Sequence, residues 1–244
     1  MSHIDTSANL NRWRKKSLLE KSLLSFGMLL IAVSVPSWQA ALVVAALMTG
    51  ATLVCARVVP AVWWKAFTAP LSFLAIGAIT LAFQVDSSLH ISLAPGGLEL
   101  AGRLGARALA GVTCLLFLAL TTPAADLVAG IRRLGVPTEI AEMALLMYRF
   151  LFLLTDTAES MNAAQTARLG HVTYGRHMKS LSLLIANLMP RAFARARSLE
   201  VGLAARGWRG ELKVLSPVRR ASALNLWLIV GLELLVLAIG LWSS

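Results

Sequence analysis

Apolar runs long enough to cross a lipid bilayer are what most restrict the folds open to this chain. They cover residues 22–35 (extended backward by Leu18 and Leu19), 38–56, 66–85, 98–121 and 221–242. A helix needs about 20 such residues to cross the hydrocarbon core. The first run is short by that measure, and Glu20 and Lys21 near its start are expected at the lipid headgroups with their stems buried. A soluble domain carries about 25% charged residues. Only 14% of these 244 residues are charged and 57% are hydrophobic, so much of the surface must face a solvent other than water. The expected fold is an all-α integral membrane protein with about five transmembrane helices.

The connections differ in character. Pro36 and Ser37 make a turn. Residues 57–65 read as a short basic connection in which Pro60 breaks the helix. Residues 86–97 are polar, contain Gly and Pro, and read as a loop. After the fourth run, Pro123 opens a short amphipathic helix, 124–134, with Thr122 as its N-cap. A long segment follows at 137–168. Its apolar middle, 143–154, is interrupted by Arg149 and is too short for a span. A second long helix is expected over 177–206. The chain thus divides into an N-terminal tail with four spans (1–121), a helical region between spans four and five (122–220), and a last span (221–244).

Charge placement sets the topology. The net charge is +11. With the N-terminus inside, all but two of the 23 Lys and Arg residues fall in inside segments, and the exceptions are Arg103 and Arg107 in the fourth run. The outer connections, 36–37 and 86–97, hold none. Basic residues concentrate in cytoplasmic loops, so the N-terminus is expected in the cytoplasm and the C-terminus outside. Trp38 and Trp242 then mark the outer interface, and Trp63 and Trp64 the inner one. The polar stretch 1–16 reads as a cytoplasmic tail and not as a cleavable signal. The basic block before the last run carries Leu, Ile and Met at helical spacing, which makes it an amphipathic layer lying against the membrane or a partner. Lys179 and Lys213 are its only lysines, which argues against a diffuse polybasic surface for anionic lipid or nucleic acid.

Chemistry on this chain is not expected. Cys55 and Cys114 lie in apolar stretches without CxxC spacing and read as small buried hydrophobes. His3, His90, His171 and His177 are scattered, and His171 and His177 stand six apart across a glycine, so no metal site is expected. GxSxG, P-loop, HExxH and dinucleotide-loop patterns are all missing, and no catalytic residue is assigned.

Two stretches of the basic block resemble each other. One runs from Glu159 to Ala167-Arg168-Leu169-Gly170, the other from Glu200 to Ala205-Arg206-Gly207. Each has an early acid, small residues, then Ala-Arg and a glycine. Gly170 and Gly207 are natural helix C-caps, which places each arginine in the last turn of its helix. An arginine there interacts favourably with the helix dipole, worth about 0.3–1 kcal/mol, but its recurrence points to more. Small residues let another backbone approach, and a guanidinium presents a planar fork to a carboxylate.

These paired elements resemble the coupling motifs of the T component (EcfT/CbiQ family) of energy-coupling-factor importers. The opening Ile4-Asp5-Thr6 with Asn11-Arg12-Trp13-Arg14 is similar to the start of the cobalt-importer branch. So are Thr121-Thr122-Pro123, Arg132-Arg133-Leu134-Gly135-Val136-Pro137 and Met147-Tyr148-Arg149-Phe150. The likeness covers most of the chain in the same order, and Leu169 departs from it, because many members carry a smaller residue there. The resemblance implies a non-catalytic coupling subunit of the inner membrane. Its amphipathic cytoplasmic coupling helices, between spans four and five, cross in an X. Ala167-Arg168-Leu169 and Ala205-Arg206-Gly207 each dock on one of two CbiO-like ABC ATPases and pass ATP-driven motion to a CbiM-like substrate-binding membrane subunit, which a small CbiN-like subunit can accompany. ATP and Mg belong to the ATPases and Co2+ to the substrate-binding subunit, with nickel or another micronutrient as the alternative cargo. The chain itself is expected to bind no cofactor, and its remaining partner is the bilayer.

Glu233 and Arg107 are charged residues inside spans. Glu233 lies nine residues below Trp242 and Arg107 nine below Leu98, at similar depth if the spans begin level. An interhelical Arg107–Glu233 pair is therefore expected, because an intramembrane ionisable group is costly unless paired. Gly97, Ala101 and Gly105 share one helix face and permit close packing, within the chain or with the substrate subunit. A self-contained secondary transporter is the rival reading, but it predicts inverted repeats and polar midplane residues. The chain has no repeat between its halves and one midplane acid.

Overall fold

The computed structural model describes residues 7–8, 11–85, 91–93, 96–131, 135–207 and 221–242. The expected features at Ile4-Asp5-Thr6, His3, His90, Arg132-Arg133-Leu134 and most of the 86–97 loop lie outside these residues. After a 3-10 turn, Arg12–Lys15, the described elements are α1 (Leu18–Ser34), α2 (Trp38–Gly50, continuing as a π-turn over Ala51–Cys55), α3 (Pro60–Ala82), strands β1 (Phe83–Val85) and β2 (Ile91–Leu93), α4 (Gly97–Thr121), α5 (Ala124–Ile131), α6 (Thr138–Ala167), α7 (Tyr174–Ala205) and α8 (Ala223–Trp242). The chain forms two compact units, Met1–Leu127 with Pro217–Ser244, and Val128–Ser216.

Among the described residues, four helices are long and apolar enough to cross a membrane: Trp38–Cys55, Pro60–Ala82, Gly97–Thr121 and Ala223–Trp242. The fifth expected span, α1, has 17 residues, about 25 Å of helix at 1.5 Å per residue. It is nonetheless integral to the bundle, packing on α2, α4 and α8. The helix starts and stops also shift. Pro60 opens α3 instead of breaking a helix, because the first helical position has no use for the N–H that proline lacks. The expected loop after α3 carries a short antiparallel pair, Phe83 opposite Leu93 and Val85 opposite Ile91. Thr122 does not cap α5 with its side chain; its buried hydroxyl has no hydrogen-bond partner.

α4 is the hub of the first unit, packed on α1, α2 and α3. Its buried face, Ala106, Ala110, Cys114 and Phe117, follows the helical three-and-four spacing and meets Leu24, Met28, Ile31 and Val35 of α1 and Ala40, Ala41, Val44 and Met48 of α2. The small residues on α2 and α4 let the axes approach. Val236 of α8 closes this core, and Trp13 packs edge-on to Phe117 at 5.5 Å. α3 buries only Trp63 and Ala82 and leaves Phe73, Ile76 and Ile79 exposed, the pattern of a lipid-facing helix.

A polar seam crosses this apolar unit. Glu20 and Lys21 are 3% and 1% exposed, so they do not reach out to headgroups. The reason is the C-terminus of α4, whose last carbonyls lack helical donors. Lys21 Nζ donates to Thr121 O at 2.8 Å, and Asn11 Nδ2 donates to Leu120 O at 3.1 Å and Thr121 O at 3.2 Å. Glu20 Oε1 accepts from the Ser222 amide at 2.9 Å and from Asn225 Nδ2 at 3.3 Å, fixing the entry to α8. Ser25 Oγ donates to Cys114 O at 2.8 Å. Buried polar groups persist in low dielectric when partnered in this way.

Candidate functional site

The two Ala-Arg elements fold alike. α6 ends at Ala167 with Arg168 at the C-cap (φ −92°, ψ 17°), and α7 ends at Ala205 with Arg206 at the C-cap (φ −92°, ψ 11°). The next residue is left-handed in both, Leu169 at φ 58° and Gly207 at φ 68°. After α6 the closure is a full Schellman motif: Leu169 N–H donates to Thr166 O at 3.0 Å and Gly170 N–H to Gln165 O at 2.9 Å. After α7, Gly207 N–H donates to Ala204 O at 3.0 Å in the matching position. Both arginines are exposed, and among the described residues neither forms an ion pair.

The structure moves one assignment. Left-handed backbone falls at Leu169, not at Gly170, because the Schellman closure requires it directly after the C-cap. Gly170 is small for a different reason: Ser180 Oγ donates to its carbonyl at 3.0 Å, and a Cβ there would sit 2.5 Å from that hydroxyl oxygen. Beyond it, His171 Nδ1 and His177 Nδ1 stand 2.8 Å apart, so one ring donates to the other across the turn into α7. Their spacing in sequence did not suggest this contact. Among the described residues no group of three or more His, Cys, Asp or Glu is placed to hold a metal ion.

Arg206 also lines a groove of about 460 Å³ between α6 and α7. Arg149, Asp156, Arg195, Phe150 and Leu203 line it with Arg206. Of these, the sequence pattern points to Arg206 and marks Arg149 as the charge interrupting an apolar stretch and as part of a motif, but does not single out Arg195 as a site residue. The available signal was spacing, since Arg195 and Arg206 are eleven apart and lie on one helix face.

The expected intramembrane pair is not formed. Arg107 Nη2 donates to Val35 O at 3.1 Å, and the Glu233 carboxylate lies against Gly27, where a Cβ would collide with it. Gly27 lies within α1 and Val35 caps its C-terminus eight residues on, about 12 Å along the helix axis, so the two charges meet this segment at different depths. The level-start assumption placed them together, and the real helix offsets do not. On α4, Gly97 and Ala101 are buried, and Ala101 and Gly105 both border an open groove of about 490 Å³ beside Trp38 and Leu42.

The family model described as "CbiQ: Cobalt transport protein" matches residues 11–215. The chain is 47% identical to the Cobalt transport protein CbiQ of Rhodobacter capsulatus, over 98% of each chain. It is 28% identical to the Putative fused cobalt transport protein CbiMQ of Methanocorpusculum labreanum, over 85% of this chain and 36% of that one. It is 36% identical to the Energy-coupling factor transporter transmembrane protein EcfT of Brevibacillus brevis, over 38% of this chain and 39% of that one.

Proposed function

Since this chain belongs to the CbiQ family of cobalt transport proteins, we propose that it is the transmembrane coupling subunit of an energy-coupling-factor importer, taking up cobalt. It carries out no chemistry. Two CbiO-like ATPases bind ATP and Mg and hydrolyse the nucleotide, a CbiM-like membrane subunit binds Co2+, and this chain joins them. The observation that carries the reading is the repeated helix end. Two long helices finish with the same Ala-Arg, closely similar C-cap dihedrals and a left-handed residue at the same position. Two like anchors suit two like ATPases. At each end the left-handed residue stops the helix sharply, so the guanidinium projects from a rigid terminus. A planar fork held this way suits a carboxylate in a partner's groove. The fused CbiMQ relative supports a shared assembly, because this chain matches only 36% of its length.

In the membrane the bundle α1–α4 with α8 is the anchor, with the N-terminus in the cytoplasm and α6 and α7 on the cytoplasmic side. The test is co-expression with the genomically adjacent ATPase and membrane subunits, followed by affinity purification and metal uptake in vesicles. Wild-type chain should retain ATPase, and Arg168→Glu or Arg206→Glu should reduce ATPase retention or coupled uptake at least tenfold. Retention and uptake unaffected by both substitutions would remove the coupling role. Uptake of radiolabelled cobalt abolished by unlabelled nickel at equal concentration would reassign the cargo.

A further inference from the structure

We infer that the groove between α6 and α7 is itself a docking bed, and that its occupant is an acidic amphipathic helix of the ATPase that engages the end of α7. This rests on the coupling role proposed above and extends it from a terminal arginine to an elongated surface. Three guanidinium groups, Arg149, Arg195 and Arg206, line the groove against one carboxylate, Asp156. None of the four forms an ion pair among the described residues. The groove therefore carries a net positive charge that the chain leaves uncompensated. Phe150 and Leu203 line the groove as well and are half-buried, whereas the four charged residues are exposed. That combination suits an amphipathic helix laying its apolar face into a groove with acids at its flanks.

Spacing gives the occupant a length. Arg195 and Arg206 are eleven residues apart, about three turns or ~16 Å of helix, and Arg149 and Asp156 are seven apart, about two turns. A partner helix of about three turns, with carboxylates about three turns apart, reaches both ends of α7's row. Asp156 calls for a basic or hydroxyl group on the occupant, which an acidic protein helix can also carry. Continuity with Arg206 names the same ATPase as the owner. Gly202 also lines the groove, and a Cβ added there meets nothing within 4 Å. This chain's own packing thus does not require glycine at this position, and its bareness leaves the floor open to another backbone.

The open space makes a plug possible without disturbing the fold of the hairpin. In the co-expressed complex, Gly202→Phe should fill the groove and lower ATPase retention at least tenfold, with membrane yield of the chain maintained. The double variant Arg149→Glu with Arg195→Glu should do the same, and it serves if the plug fails to accumulate. Arg206→Glu separates the two readings. If Arg206→Glu releases the ATPase while the plug and the double variant retain it at wild-type level, the groove inference is overturned and the coupling role stands. If all three retain it, and Arg168→Glu likewise leaves retention and uptake unaffected, the coupling role itself fails. Loss of the substrate-binding subunit with ATPase retained, or loss only of binding to vesicles containing phosphatidylglycerol, would give the groove a different occupant and likewise overturn the proposal.

Discussion

At the scale of single residues, two positions carry measurable cost or support. Leu169 adopts φ 58° on an exposed site, and left-handed backbone costs a Cβ-bearing residue about 1–2 kcal/mol. Glycine removes that cost but gains freedom in the unfolded chain, which returns roughly 0.5–1 kcal/mol. Leu169→Gly should therefore raise stability slightly, by about 0.5–1 kcal/mol, and Leu169→Val should lower it. Urea unfolding of the detergent-solubilised chain measures both, and a destabilised Leu169→Gly would show that the leucine side chain contributes more than its exposure suggests. Lys21 is the second position. Its ammonium donates to the last carbonyl of α4 while fully enclosed. Lys21→Met keeps most of the volume and deletes the donor, which should cost about 1–3 kcal/mol and appear as a lower midpoint of thermal unfolding.

At the scale of elements, the contact between α1 and α8 depends on a missing side chain. Gly27 leaves the room that the Glu233 carboxylate fills. Gly27→Ala should force the helices apart and cost about 1–3 kcal/mol, as overpacking does. Glu233→Ala in the same chain should recover most of that loss, and a double-mutant cycle in thermal unfolding reads the coupling directly. Additive effects of the two substitutions would mean that the helices adjust without strain. The same pair shows what an element-level view corrects: a charge within a span invites a partner of opposite sign, whereas here each charged group meets α1 separately, Arg107 through a backbone carbonyl.

At the scale of the whole molecule, the number of crossings decides where the termini lie. Five crossings place them on opposite sides of the membrane, and four place them together. α1 is shorter than the hydrocarbon core is thick, yet its interior face is locked to α2, α4 and α8, and short spans are accommodated by local bilayer thinning. Epitope tags on the two ends of spheroplast-expressed protein should be reached by protease at the C-terminal end only; equal protection of both would leave α1 on the surface. Much of this architecture was legible in the sequence. Apolar runs, the order of helices and the two Ala-Arg ends depend on hydropathy and on hydrogen bonds between residues a few positions apart, which a linear pattern carries. Leu169's left-handed backbone, the α4-capping role of Lys21 and Asn11, the separation of Arg107 from Glu233, and the meeting of Arg149 and Arg195 with Arg206 were decided only in three dimensions. Each depends on how far one helix is shifted or rotated against another, or on which residue of a turn absorbs the reversal, and a one-residue change in either carries a side chain to a different neighbour without altering the pattern along the chain.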